Sequence, residues 1–353
     1  MKDSGNKKRK ERGSEGVRAS LSLKNARVLV AGGSGFIGTH VVAALVRAGV
    51  GEIVVLGKKK ASRVIADAEA YSTARFTFLD CDLASQSSER VLKGLKGFDY
   101  VFNLIGVTEQ DMPHPDPLRL MEANLLPLVR LTKMLDWASI KGAVHVGSNA
   151  EYGNAPVPHR EDAPLRPTNC YGLAKATTTT YALMMTRGGW AKWCVARPFF
   201  VYGPGREYGL VCEAARVMSG GEKFVIHGKK ITRDPVFVED VAEALVRLAV
   251  CPKATGEIVN VANGQEITVR AIAECVHEAV GGGGVLVDAH ARAGDLLRSC
   301  GSVAVLMRLT GWHPRTTLRE GVRRTVAAYA KSMEHRMVMR DIGRTREKNE
   351  KRR

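Results

Sequence analysis

The chain contains no run of about 18 consecutive apolar residues, the length a helix needs to cross a bilayer, so no membrane span is expected. Its seven cysteines, Cys81, Cys170, Cys194, Cys212, Cys251, Cys275 and Cys300, include no C-x-x-C pair. A scattered, odd set of thiols excludes a disulfide framework or a zinc site as the organising device, and a reducing, cytoplasmic setting is expected. The early positive charges lead into no apolar h-region, which argues against a secretory signal. Aromatic residues are only 6% of the chain, and neither basic end interleaves them with Lys or Arg. Base stacking along a strand then has no platform, and nucleic acid is not an expected partner.

What is present is an ordinary globular composition, 45% hydrophobic and 25% charged, carrying a net charge of +17. Residues 1–24 hold eight Lys or Arg against three acids, and 331–353 hold nine against four. Both ends read as basic tails, the first disordered, and the set Lys7, Lys8, Arg9, Lys10 reads as solvated charge with nuclear import as the lesser reading. The positive charge left on the body suits an anionic small-molecule substrate.

The stretch from Arg27 to Gly38, RVLVAGGSGFIG, carries the first chemistry. Its apolar run predicts a buried strand, and Gly32, Gly35 and Gly38 turn the chain into a helix starting near Phe36. Gly32 permits the turn, Gly35 allows backbone to approach a pyrophosphate, and Gly38 allows helix-to-strand packing. The helix start, at Phe36 and Ile37, offers unpaired N–H groups to the anion.

From there strands near 27–31, 52–56, 75–79, 99–105, 142–147 and 193–197 alternate with helical patterns. That repetition predicts an α/β, Rossmann-type doubly wound parallel sheet. The Rossmann core is expected over about 25–198 plus 236–262, with a further strand at 257–262. A smaller C-terminal substrate-binding lobe is expected over about 199–235 and 263–330, with helices around 208–219, 239–250, 268–280 and 317–330. The second strand lacks the carboxylate that reads an NAD ribose and runs instead into Lys58, Lys59 and Lys60, with Arg63 nearby. Ammonium groups there could pair a 2′-phosphate, so NADP is favoured over NAD. Beyond the third strand, Asp80, Asp82 and Leu83 border the adenine position, where a carboxylate could accept from the amino group.

Tyr171 and Lys175 stand four apart in NCYGLAKA, on one helical face. An ammonium beside a phenol favours the phenolate, giving a general base. Ser148 ends an apolar strand, and the proline-punctuated loop 154–167 can bring Tyr171 back to it. Their hydroxyls can then share one substrate oxygen.

Together these motifs resemble the extended short-chain dehydrogenase/reductases, in particular the NAD-dependent epimerase/dehydratase group acting on nucleotide sugars. The resemblance spans about residues 26–330. It rests on GGSGFIG at 32–38, Asp80 to Leu83, Asn124, SNAEYG at 148–153, YGLAK at 171–175, RPFFVYGPG at 197–205, RDPVFVEDVA at 233–242, RAGD at 292–295 and GWHP with LREGV at 311–322. It implies Tyr171 as acid or base on a sugar hydroxyl, Lys175 lowering its pKa and holding the nicotinamide ribose, and Ser148 orienting the oxygen. It further implies Arg233 and Arg292 on the nucleotide diphosphate, a nucleotide-diphosphate sugar as substrate, and a homodimer through helices near 116–138 and 170–187.

Dehydratases of this group place acidic residues directly after the catalytic serine, where this chain has Asn149 and Ala150. Neither transfers protons, so dehydration is disfavoured, as is a decarboxylation that needs Glu at the second position. An epimerase passing through a 4-keto intermediate is expected. An NADPH-dependent 4-keto-sugar reductase is the alternative, in keeping with Glu151 before the Tyr and the lysine-rich ribose site. A cofactor-bound scaffold without catalysis, or RNA binding through the tails, are the readings from other classes. The presence of both Tyr171 and Lys175 counts against the scaffold.

Overall fold

The structure, a computed structural model, describes residues 23–58, 73–108, 111–112, 116–291 and 296–333. Strand β1 (Arg27–Ala31) buries all but its first residue, as a run of apolar side chains must when both sheet faces are covered. It pairs in parallel with β2 (Glu52–Gly57) on one side and β4 (Tyr100–Asn103) on the other. With β3 (Arg75–Asp80), β5 (Gly142–Val146), β6 (Trp193–Pro198) and β11 (Ile258–Val261) these make a seven-stranded sheet in the order β11-β6-β5-β4-β1-β2-β3. Every neighbouring pair is parallel.

Helices cover both faces. Val41, Val42 and Leu45 of α1 (Phe36–Arg47) join Val241, Leu245 and Leu248 of Val238–Ala249 on one side. On the other side lie Leu92 from α2 (Ser88–Lys93), Leu128 and Leu131 from α3 (Pro117–Met134), and Ala182 from α4 (Cys170–Arg187). Both long helices start at side-chain caps: Asp116 accepts from the Leu118 N–H at 2.9 Å and Asn169 from the Gly172 N–H at 2.8 Å. Buried Trp193 ties this layer to the sheet, its indole N–H donating to Thr132 Oγ1 at 3.0 Å.

A separate apolar cluster lies in the C-terminal half. It gathers Val211, Ala214 and Met218 of α5 (Leu210–Ser219), Phe224 and Ile226 of β8 (Lys223–His227), Ile272 and Val276 of Val269–Ala279, and Val322 of the helix over 318–333. The expected strands and helices fall within a few residues of their places, though the strand expected over 99–105 is only Tyr100–Asn103. The parallel pairing of β8 with Val285–Ala289 was not expected, nor were the short strands Phe200–Tyr202 and Pro235–Phe237.

Candidate active site

Sequence neighbours β1 and β2 lie on one side of the sheet's crossover and β4 on the other, so the loops after β1 and β4 open a crevice at the carboxyl ends of the strands. The glycine loop lies there. Gly32 has φ +80°, its N–H donates to Leu56 O at 2.7 Å, and its own carbonyl accepts from Gly35 N at 3.0 Å. A Cβ on Gly38 would stand 2.1 Å from Gly32 O, and one on Gly33 2.8 Å from Val55 Cγ1. The turn therefore tolerates side chains at neither position. Gly35 caps α1 without any side-chain hydrogen bond, which leaves the first-turn N–H groups, those of Phe36 and Ile37 among them, without a side-chain acceptor. An uncapped helix start behind a glycine-rich turn fits a dinucleotide pyrophosphate.

Ser148 follows β5 and opens a single 3₁₀ turn, Asn149–Glu151. Its Oγ accepts from Ala150 N at 3.1 Å, while its own N–H donates to Glu151 Oε1 at 2.7 Å, a reciprocal capping box. The start of α4 packs directly on this turn: a Cβ on Gly172 would come 2.6 Å from Ala150 O. That contact sets the Tyr171 hydroxyl against the Ser148 side chain, which favours the ionised phenol. Burial pushes the phenol up to about 12, with Ser148 and the Arg206 charge acting the other way.

One expectation needs correction. Lys175 does not sit beside the phenol here; its Nζ donates to Val146 O at 3.0 Å and to Ile105 O at 3.4 Å. Burial, opposed by Glu151, lowers the ammonium to about 8, and the cation acting on Tyr171 is Arg206 rather than Lys175. A Cβ on Gly106 would lie 2.7 Å from Lys175 Nζ, so the glycine leaves the ammonium its space.

On the adenosine side, Lys58 extends from the end of β2 and pairs with Asp82 at 2.7 Å. Asp80 ends β3 opposite Gly57, and the carbonyl of buried Leu83 accepts from Arg130 Nη1 at 2.6 Å. Lys59, Lys60, Arg63 and Arg292 lie outside the described residues. Arg233 uses Nη1 on the carbonyls of Thr232 and Leu296, both at 2.8 Å, which sets it against the segment that follows Arg292. Asn149 donates to Ser299 Oγ at 3.0 Å, joining that same segment to the Ser148 turn.

Sequence reasoning missed the buried polar residues around this site. Asp234 accepts from the N–H groups of Asn263 at 2.8 Å and of Gly264 and Gly301 at 3.0 Å. Glu151 and Arg197 form an ion pair with both side chains 0% exposed. An acidic residue inside the apolar run DPVFV was the one available signal for Asp234.

Residues 28–262 match the NAD dependent epimerase/dehydratase family. The chain belongs to this family. A UDP-glucose 4-epimerase of Mycolicibacterium smegmatis is 31% identical over 85% of this chain and 97% of that protein. A GDP-6-deoxy-D-mannose reductase of Pseudomonas aeruginosa is 29% identical over 64% of this chain and 78% of its own length. The solved structure of MoeE5 in complex with UDP-glucose and NAD superposes with a TM-score of 0.75 at 26% identity, covering 87% of this chain and 100% of that one. Membership makes the protein an NAD(P)-dependent enzyme of the extended short-chain type, and the parallel Rossmann-type sheet agrees with it.

Proposed function

We propose that the protein is a nucleotide-sugar 4-epimerase that works through a 4-keto intermediate. The observation that carries this is the placement of the Tyr171 hydroxyl against the Ser148 side chain at the head of α4, with Lys175 one turn further on. Tyr171, ionised once the Lys175 ammonium turns toward it, would take the proton from the sugar 4-hydroxyl and return it after the ring has presented its other face, while Ser148 hydrogen-bonds the same oxygen. The dinucleotide, once bound, supplies the hydride chemistry. Gly32, Gly35, Phe36, Ile37 and Gly38 hold its pyrophosphate, and Asp82 and Leu83 border its adenine. Lys175 leaves its carbonyl partners for the nicotinamide ribose, and Arg233 with Arg292 holds the sugar nucleotide's diphosphate. The likeness to the mycobacterial UDP-glucose 4-epimerase over nearly all of that protein's length supports this reading.

A second reading, an NADPH-consuming 4-keto-sugar reductase, is favoured by Lys58 at the ribose end of β2 and by the likeness to the deoxymannose reductase. NADP over NAD is part of the same proposal. We also propose a homodimer through α3 and α4, because Leu118 on α3 is 65% exposed and Leu173 and Met184 on α4, 51% and 58% exposed, line an apolar groove with Leu165 and Pro167.

Native mass spectrometry followed by incubation with UDP-glucose tests the choice. Retained dinucleotide and a C4-inverted product without net oxidation is the epimerase result. Stoichiometric consumption of NADPH against a 4-keto sugar, with no inversion of UDP-glucose, replaces it with the reductase.

A further inference from the structure

Glu151 and Arg197 stand directly behind the Ser148 turn and take no part in the chemistry proposed above. Arg197, on β6, places Nε and Nη2 each 2.9 Å from Glu151 Oε2. Glu151 spends its other oxygen on the Ser148 N–H at 2.7 Å and also meets the Thr179 side chain of α4. Gly147 makes room, since a Cβ there would lie 2.4 Å from Glu151 Oε1. The guanidinium is held in turn: it lies 4.6 Å over the Tyr152 ring, which stacks on His159 at 5.0 Å and donates its hydroxyl to Asn260 Oδ1 at 2.7 Å. Taking two charges out of water costs several kcal/mol per ion, and an apolar pair of similar volume is commonly as stable. Stability alone therefore gives little reason for charges here, whereas a carboxylate aimed along a strand end fixes one backbone N–H in direction and distance.

We propose that the Glu151–Arg197 ion pair is a positioning device, fixing the turn that carries Ser148 and through it the placement of Ser148 against the Tyr171 hydroxyl. The proposal rests on Tyr171 acting as the base. The groups facing the phenol are Ser148 and Glu151 from the turn and Arg206 and Tyr208 from the loop after Phe200–Tyr202. Those facing Glu151 are Arg197 and Thr179, while Lys175 feels Glu151 and itself acts on His145 of β5. Of the charged groups acting on the phenol, Glu151 opposes its ionisation and Arg206 favours it.

The test is Glu151→Gln in the full chain with its dinucleotide, beside Tyr171→Phe. We expect kcat with UDP-glucose to fall about 10- to 100-fold while KM and dinucleotide affinity stay within about twofold. Ser148→Ala, which lowers kcat in the wild type, should add little further loss in the Glu151→Gln background, because the two act through one turn. A Tyr152→Phe control, equally buried, should lower thermal stability while Ser148→Ala costs as much in its background as in the wild type. If Glu151→Gln does not fold, the Glu151→Val/Arg197→Met pair leaves no buried charge and should fold with the same loss in kcat. Wild-type kcat in folded Glu151→Gln, or an undiminished Ser148→Ala loss in that background, overturns the proposal while Tyr171→Phe remains inactive. Full turnover in Tyr171→Phe overturns the functional reading and the positioning role together.

Discussion

The Lys175 ammonium donates to the carbonyl oxygen of Val146, the last residue of β5, at 3.0 Å. The side chain is 2% exposed and burial holds its pKa at about 8, below its unfolded value near 10.4. A depressed lysine pKa means the unfolded chain binds the extra proton between those values, so stability rises with pH from about 8 upward. Tyr171, raised to about 12, takes up the opposite trend above pH ~10, where the unfolded phenol ionises first. Lys175→Met should accordingly unfold at higher denaturant concentration at pH 7, by on the order of 3 kcal/mol, and lose the pH dependence between about 8 and 10. Urea titrations at pH 7 and 9 check both.

The Lys58–Asp82 pair is 63% and 41% exposed, so its loss should leave melting temperature nearly unchanged. Its effect should appear in cofactor choice. Lys58→Ala should weaken NADPH about 10- to 100-fold, as expected for one charge-assisted hydrogen bond to phosphate, and NADH little. Equal losses for both, measured by fluorescence titration, would remove the basis for an NADP preference.

Leu173→Glu or Met184→Glu places a charge on the exposed apolar face of α4. Sedimentation should then show a monomer where the wild type is a dimer, with unchanged circular dichroism. A variant that sediments as the wild type would assign that face to something other than self-association.

Asp234 holds three backbone N–H groups from two separate loops at 2.8–3.0 Å while fully buried. Asp234→Ala orphans all three donors and should cost about 3 kcal/mol or more, read as a shift in denaturation midpoint. Asp234→Asn, which keeps an acceptor, should cost less.

Much of the fold is legible in the sequence because its signals are local. RVLVA and EIVVLG announce buried strands by composition, and α4 runs from Cys170 to Arg187 as expected because Asn169 caps one end and Gly188 stops the other. The Ser148–Tyr171 meeting was legible from a strand end, a loop and a helix start in order. The direction of Lys175 was not, since a four-carbon side chain goes wherever the nearest carbonyl oxygens are, and these come from β5 and the loop after β4. Nor was the Glu151–Arg197 pair, whose partners lie on a turn and on β6, nor the acceptors of Asp234, which lie on loops near 263 and 301. Val285–Ala289, with a largely exposed pattern, shows no alternation to mark it as a strand.

The contact between Gly38 and Gly32 changes what a mutational survey of the loop can report. With a Cβ at Gly38 only 2.1 Å from Gly32 O, any replacement must first push α1 away from β1 before the dinucleotide is encountered. Losses at Gly38 will therefore register as poor yield and early melting in the empty protein, whereas Gly35, whose added Cβ meets Gly32 O at 3.2 Å, leaves the fold largely intact. Of these two glycines, only Gly35 can be used to weigh how much of the enzyme's affinity the turn itself contributes.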